Sequence, residues 1–247
     1  MRPFALALLA FAACSTAPKT MDVDGDEPIQ QAKPKAEAGP SQIKLDGLIV
    51  DVRWGDGDTF SFYQFGKKKK ARLAGFNTLE SYGPVHRWGD WTAKELYGLA
   101  MKAGEVASAR GWTCTKKPGG GGYGRLLVDC PVLKSELIAQ GLAHAFSMKG
   151  PADEATMAIQ LKSIETKQGM WAKGVPEGLI TSLHSVDEKP GRSEAYNRVV
   201  NPRTGEAPGI SHHQKYSVCQ EVCVQGSCMT YVPYPQRYGK KRPDCLR

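Results

Sequence analysis

Two aspartates stand two residues apart in Asp56-Gly57-Asp58-Thr59, and Arg72 follows downstream. Next comes Asn77-Thr78-Leu79-Glu80, and a second arginine closes Tyr123-Gly124-Arg125. Hard divalent ions prefer oxygen donors, which carboxylates, carboxamides and carbonyls supply. A phosphodiester is best held by paired guanidinium donors. A hydrolytic water needs a carboxylate beside it to take its proton. Taken singly, Arg72 and Glu80 read as a structural salt bridge. With Asp58 and Arg125 they point instead to metal-assisted phosphodiester hydrolysis.

Short strands and helices must carry these residues. Residues 43–53 and 59–65 are rich in β-formers, with Gly57 as the turn between them. The lysines Lys67 to Lys70 are predicted to form a hairpin tip, and 71–76 the next strand. A helix is expected over 92–107, with Leu96, Leu99, Ala103 and Val106 on one face. Residues 111–115 and 125–132 read as strands around the Gly-rich loop 118–122. Residues 135–140 read as a short helix stopped by Gly141. The last helix, 153–168, is expected to turn Met157, Leu161 and Ile164 inward, with Trp171 packing back after it. The fold class this implies is α+β. It would be an OB-fold five-stranded Greek-key barrel with three helices, plus a small Cys-rich C-terminal extension.

Residues 43–174 resemble the staphylococcal-nuclease (thermonuclease) family. The matching pieces begin with Asp56-Gly57-Asp58-Thr59 and Arg72-Leu73-Ala74-Gly75-Phe76-Asn77-Thr78-Leu79-Glu80. They continue with Tyr123-Gly124-Arg125-Leu126, then Glu136-Leu137-Ile138-Ala139-Gln140-Gly141-Leu142-Ala143, and close with Gly169-Met170-Trp171. The resemblance implies an OB-fold enzyme that hydrolyses DNA and RNA with Ca²⁺. It makes Asp58 a metal ligand, puts Asn77 and the Thr78 carbonyl at other metal positions, and puts Asp56 in the outer shell. Arg72 and Arg125 correspond to phosphate-binding arginines, Glu80 to the general base, and Tyr123 to a residue beside the nucleotide. Three positions depart from the family pattern. Asn77 replaces an Asp, so the site has one negative charge fewer. Leu79 replaces the usual Pro, and Ser147, next to Phe146, replaces a stacking tyrosine.

The rest of the chain bears on location and partners. A net charge of +8 favours anionic partners. The charge is concentrated in residues 189–247, which hold ten Lys/Arg against four Asp/Glu. The start, Met1-Arg2-Pro3 with an apolar run to Ala13, has the marks of an export signal over 1–13 and is too short to span a membrane. The small residues before Cys14 resemble a lipobox, so Cys14 is expected to carry lipid and anchor the protein to a bacterial membrane. Residues 14–41 read as a flexible tether, in which Asp22-Val23-Asp24-Gly25-Asp26 is an acidic linker that only mimics the later motif. A nuclease domain is expected over 42–188 and a basic Cys-rich extension over 189–247.

Setting Cys14 aside, six cysteines remain: Cys114, Cys130, Cys219, Cys223, Cys228 and Cys245. An oxidising compartment favours disulfides. Cys114 and Cys130 are expected to bridge across adjacent strands, leaving the other four to pair among themselves in any of three ways. His212 and His213 with the nearby cysteines fit no common zinc spacing well. The histidines His86, His144 and His184 have no motif around them and read as structural. The tyrosines Tyr231, Tyr234 and Tyr238, set among Arg237, Lys240, Lys241 and Arg242, read either as the filling of the extension or as base-stacking residues.

Overall fold

The computed structural model describes residues 39–247. The expected signal segment, the lipidation at Cys14 and the acidic linker lie outside the described residues. Strands β1 (Gln42–Leu45) and β2 (Leu48–Asp51) form an antiparallel hairpin. After Val52 come β3 (Arg53–Trp54), β4 (Thr59–Gln64) and β5 (Lys67–Leu73). The short strands β6 (Phe76–Thr78) and β7 (His86–Trp88) lead to helix α1 (Ala93–Ala109). Strands β8 (Trp112–Gly120) and β9 (Leu126–Asp129), helix α2 (Pro131–Ala139), β10 (Ala143–Ala145) and helix α3 (Glu154–Glu165) follow.

Seven strands make one sheet in the order β2-β1-β8-β9-β5-β4-β3. Its edge strands β2 and β3 are separated in sequence by Val52 alone, so the chain itself joins the two edges. The sheet thus nearly closes into a barrel. The five strands expected are seven here, because 42–51 folds as its own hairpin and the strand through Val52 breaks in two. Two pairs, β1–β8 and β5–β9, are parallel. Alternate residues point inward, as a pleated strand requires. Phe60 and Phe62 of β4, Ala71 and Leu73 of β5 and Val128 of β9 are buried in one core with Leu133, Leu137 and Ile138 of α2.

Local chemistry sets the element ends. Thr92 caps α1 in a reciprocal box with Glu95. Asp153 caps α3 by accepting from the Thr156 amide at 2.9 Å. Pro131 opens α2, where its missing N–H is harmless, and so ends the strand at Asp129 rather than at 132. The β4–β5 turn is Phe65 and Gly66, both with positive φ, so Lys67 to Lys70 belong to strand β5 and not to the hairpin tip.

Two inward faces differ from expectation. Helix α1 buries Leu96, Ala100, Ala103 and Ala107, with Leu99 and Val106 only partly covered. Helix α3 buries Met157 but leaves Leu161 exposed. Its covered polar face centres on Gln160, which accepts from the Ala145 amide and donates to the Pro202 carbonyl. Gln160 thereby ties α3 to β10 and to the later chain, a bond that apolar periodicity does not report.

Residues 179–230 form more sheet than their composition suggests. Strands β11 (Leu179–Ser182), β12 (Ala195–Val200) and β13 (Gly209–His212) make one three-stranded sheet. Strands β14 (Glu221–Val224) and β15 (Ser227–Thr230) make a hairpin whose second strand pairs with β7. A second core joins Tyr82 and Val85 to Ile180, Met229, Val232 and Leu246. Three disulfides are present, Cys114–Cys130, Cys219–Cys245 and Cys223–Cys228. Among the described residues no helix is long and apolar enough to cross a membrane.

Candidate active site

Asp56 and Asp58 lie in the loop that carries β3 into β4. The Asp56 carboxylate accepts from the Asp58 amide at 3.1 Å and so shapes the turn. Gly57 lets this loop press down, since a Cβ there would meet Thr78 Cγ2 at 2.7 Å. Asp58 is consequently almost fully buried, 2% exposed. One oxygen accepts from the Thr78 amide at 2.7 Å and the Thr78 hydroxyl at 3.1 Å. The other accepts from the Thr59 hydroxyl at 2.9 Å and forms a salt bridge with Arg72.

Arg72 is fixed from both sides, because β5 pairs Arg72 with Thr59 of β4 and with Leu127 of β9. Its guanidinium spans the site, donating to Asp58 through Nη1 and to the Asn77 side-chain oxygen through Nη2. Arg72 therefore pairs with Asp58 and Asn77 rather than with Glu80. Arg125 enters from the Gly-rich loop, where its Nε donates to the Gly122 carbonyl at 3.2 Å. Burial, and then the charge of Arg72, pull Arg125 below the usual guanidinium value, with Asp58 and Asp56 acting the other way. Both arginines thus lie within electrostatic reach of the aspartates. Tyr123 has positive φ and is 88% exposed. It lies beside Arg125, whose guanidinium carbon is 5.9 Å from its ring centre.

The carboxylates differ in proton affinity. Burial acts to raise Asp58, but Arg72 and the Thr78 amide outweigh it and hold Asp58 below the usual range. Asp56 is pushed well above that range by burial and then by the neighbouring Asp58 charge. Glu80 is also raised, by burial first, against the pull of Arg237. Asp56 and Glu80 keep part of their surface open, yet burial is the largest cause of the upward shift in each.

Two contributors to this site carry no local sequence signal. His86 Nε2 accepts from the Glu80 amide at 3.2 Å, which makes it the neighbour that sets the Glu80 backbone. The other is Arg237, 157 residues beyond Glu80 in sequence and the strongest opposing charge acting on it. Proximity in the chain to Glu80 was the only hint for His86, and the basic, Tyr-rich character of the C-terminal segment the only hint for Arg237.

The donor set suits a hard divalent cation. The oxygens of Asp58, Asp56, the Asn77 carboxamide and the Thr78 carbonyl are of the kind Ca²⁺ prefers. The Arg72 guanidinium bridges Asp58 and Asn77, so an ion there would share both with it. Cys219, Cys223 and Cys228 are all in disulfides, so they offer no thiolate for zinc beside His212 and His213. The same holds for the group formed by Glu221 with Cys223 and Cys228. No family model matches this sequence, and no curated protein matches it either.

Proposed function

We propose that this chain is a metal-dependent nuclease, a hydrolase that cuts phosphodiester bonds in DNA or RNA without sugar specificity. The observation that carries it is the convergence of Asp58, Arg72 and Asn77 in direct contact, with Arg125 and Glu80 in electrostatic reach of them. Hydrolysis builds negative charge on the equatorial phosphate oxygens, which the guanidinium groups of Arg72 and Arg125 would neutralise. Burial raises the Glu80 carboxyl from its ordinary value and so makes its ionised form a stronger base for taking a proton from an attacking water. Ca²⁺, held by Asp58, Asn77 and the Thr78 carbonyl with Asp56 outside them, would supply Lewis-acid stabilisation of the phosphate.

The likeness to the staphylococcal-nuclease family supports this reading, as does the barrel. The seven-stranded sheet, nearly closed, is barrel-like, the general architecture of that family's OB-fold. We also propose that the protein acts outside the cytosol, anchored to the bacterial envelope through Cys14. The three disulfides support an oxidising compartment.

A second reading, nucleic-acid binding without cleavage, is favoured by one observation. The outer nitrogens of Arg72 are both engaged by Asp58 and Asn77. One assay separates the two. The purified chain is incubated with plasmid and with RNA, in Ca²⁺ and in chelator. The nuclease reading expects Ca²⁺-dependent cleavage. Arg72→Lys and Glu80→Gln should each lower it by about 10²–10³-fold while the chain stays folded, the usual effect of losing a transition-state donor or a general base. Cleavage by those folded variants at the wild-type rate, or no cleavage by wild type, rejects it.

A further inference from the structure

The C-terminal segment is built against the chain beside Glu80. Arg237 places its guanidinium carbon 4.6 Å from the ring centre of Tyr82, two residues beyond Glu80. The same arginine is anchored by donation from Nε to the Val232 carbonyl at 2.9 Å, which leaves its two outer nitrogens free of hydrogen bonds among the described residues. Arg242 donates to the Tyr82 and Leu246 carbonyls. Leu246 packs on Gly83, where a Cβ would meet Leu246 Cδ2 at 2.7 Å, so this position must be glycine for the tail to lie so close. The Cys219–Cys245 bridge fixes the end of the chain there.

This tail presents aromatic rings to water. Tyr231 is buried and fills the second core, but Tyr234 and Tyr238 are 66% and 61% exposed. Their ring centres lie 6.5 Å apart, and Tyr238 meets Tyr82 edge-on at 6.3 Å. Residues 233–247 carry five Lys/Arg against the single acid Asp244. The Tyr82 hydroxyl, in a side chain that is 2% exposed, has no hydrogen-bond partner among the described residues. Exposed aromatic rings on a cationic segment are the two ingredients of single-stranded nucleic-acid binding, where bases stack and phosphates meet guanidinium.

We propose that the tail completes the substrate surface. Arg237 holds a backbone phosphate next to the cleaved one, and Tyr234 and Tyr238 stack on the bases of a single strand. This extends the nuclease reading and rests on it for the position of the cleaved phosphate. Tyr123, exposed beside Arg125, would serve a base on the Arg125 side of the site. The charge of Arg237 near Glu80 would then be shared with the substrate, coupling occupancy of the tail to the carboxylate.

The test measures binding as well as cleavage, using fluorescein-labelled dT and U oligonucleotides of about twelve nucleotides and fluorescence anisotropy in chelator. Wild type is expected to bind, more weakly as salt rises. Tyr234→Ala and Tyr238→Ala should each weaken binding about tenfold, the usual loss for one stacked base. Arg237→Ala should weaken it similarly, with Arg237→Lys recovering part of the loss. Since both tyrosines are exposed, their alanine variants keep the fold, which circular dichroism checks. The dT and U arms tell DNA from RNA. Binding by wild type in chelator, with no cleavage of the same oligonucleotides in Ca²⁺, removes the nuclease reading and leaves the tail surface standing. Cleavage with undiminished binding by all three alanine variants overturns the tail proposal alone. No binding by wild type overturns it too, as does a loss seen on anionic phosphatidylglycerol vesicles but not on either oligonucleotide.

Discussion

Asp56 and Asp58 are chemically identical residues shifted in opposite directions from the ordinary carboxylate value. Asp58 is given Arg72, the Thr78 amide and two hydroxyls, and stays ionised. Asp56 is given burial and the Asp58 charge, and is pushed well above its ordinary 3.8. A raised carboxyl means the folded state keeps a proton that the unfolded state has lost. Its contribution to stability is full below pH 3.8 and declines as pH rises through the folded value. Asp56→Asn removes that decline. In chelator at pH 7 the variant is therefore expected to melt at a higher temperature than wild type, with the gap closing near pH 4. A variant melting lower at pH 7 would show that the Asp56 charge is held there by something other than these neighbours. Position 56 was legible as an acid near an acid. Which of the two keeps its proton was not, because Thr78 and Arg72 reach Asp58 only through the sheet register.

The short strands β6, β7 and β10 hold the back of the site. The pairing of β10 with β6 sets His144 opposite Asn77, and β7 brings His86 under the Glu80 amide. Both imidazoles are buried, and burial lowers them from 6.5, His86 to about 3 and His144 to about 4. His86 also feels His144, and its Nδ1 has no hydrogen-bond partner among the described residues. A lowered histidine contributes stability above its unfolded value of 6.5, and that contribution is lost as pH falls from there toward the folded value. Each pKa unit is worth about 1.4 kcal/mol, so acidification to pH 4.5 should remove on the order of 3 kcal/mol for each histidine. NMR of the imidazole nitrogens should find both rings neutral at pH 5, and unfolding should grow easier over the same range. A titration midpoint near 6.5 for either ring would refute this. Sequence treated both histidines as structural, which suits their burial. Beyond nearness in the chain, it did not show that His86 accepts from the Glu80 amide, since that contact depends on how 81–85 turns. Apolar periodicity failed in a related way on α3, where Gln160 is buried for its hydrogen bonds and Leu161 faces water.

At the scale of the whole chain, the C-terminal segment looked in sequence like a separate basic appendage. The β14–β15 hairpin instead adds to β7, and Leu246 enters the core that includes Tyr82. The cysteine pattern announced the staples, and Cys114–Cys130 followed from the adjacent strands, but only three-dimensional proximity selects Cys219–Cys245 over the other pairings. That bridge closes a separation of 26 residues. Loop-closure entropy for such a span is about 3–4 kcal/mol. The double variant Cys219→Ser with Cys245→Ser should lose stability of that order in denaturant titration. Because Leu246 and Arg242 still favour the seat on Gly83 and Tyr82, the tail should loosen rather than the barrel unfold. Hydrogen exchange is the discriminating readout. Amides of 231–247 should exchange faster while those of β4, β5 and β9 keep their protection. If exchange rose equally in the barrel strands, the tail and the barrel would be one cooperative unit. The extension would then hold the Asp58–Arg72 site together as well as border it.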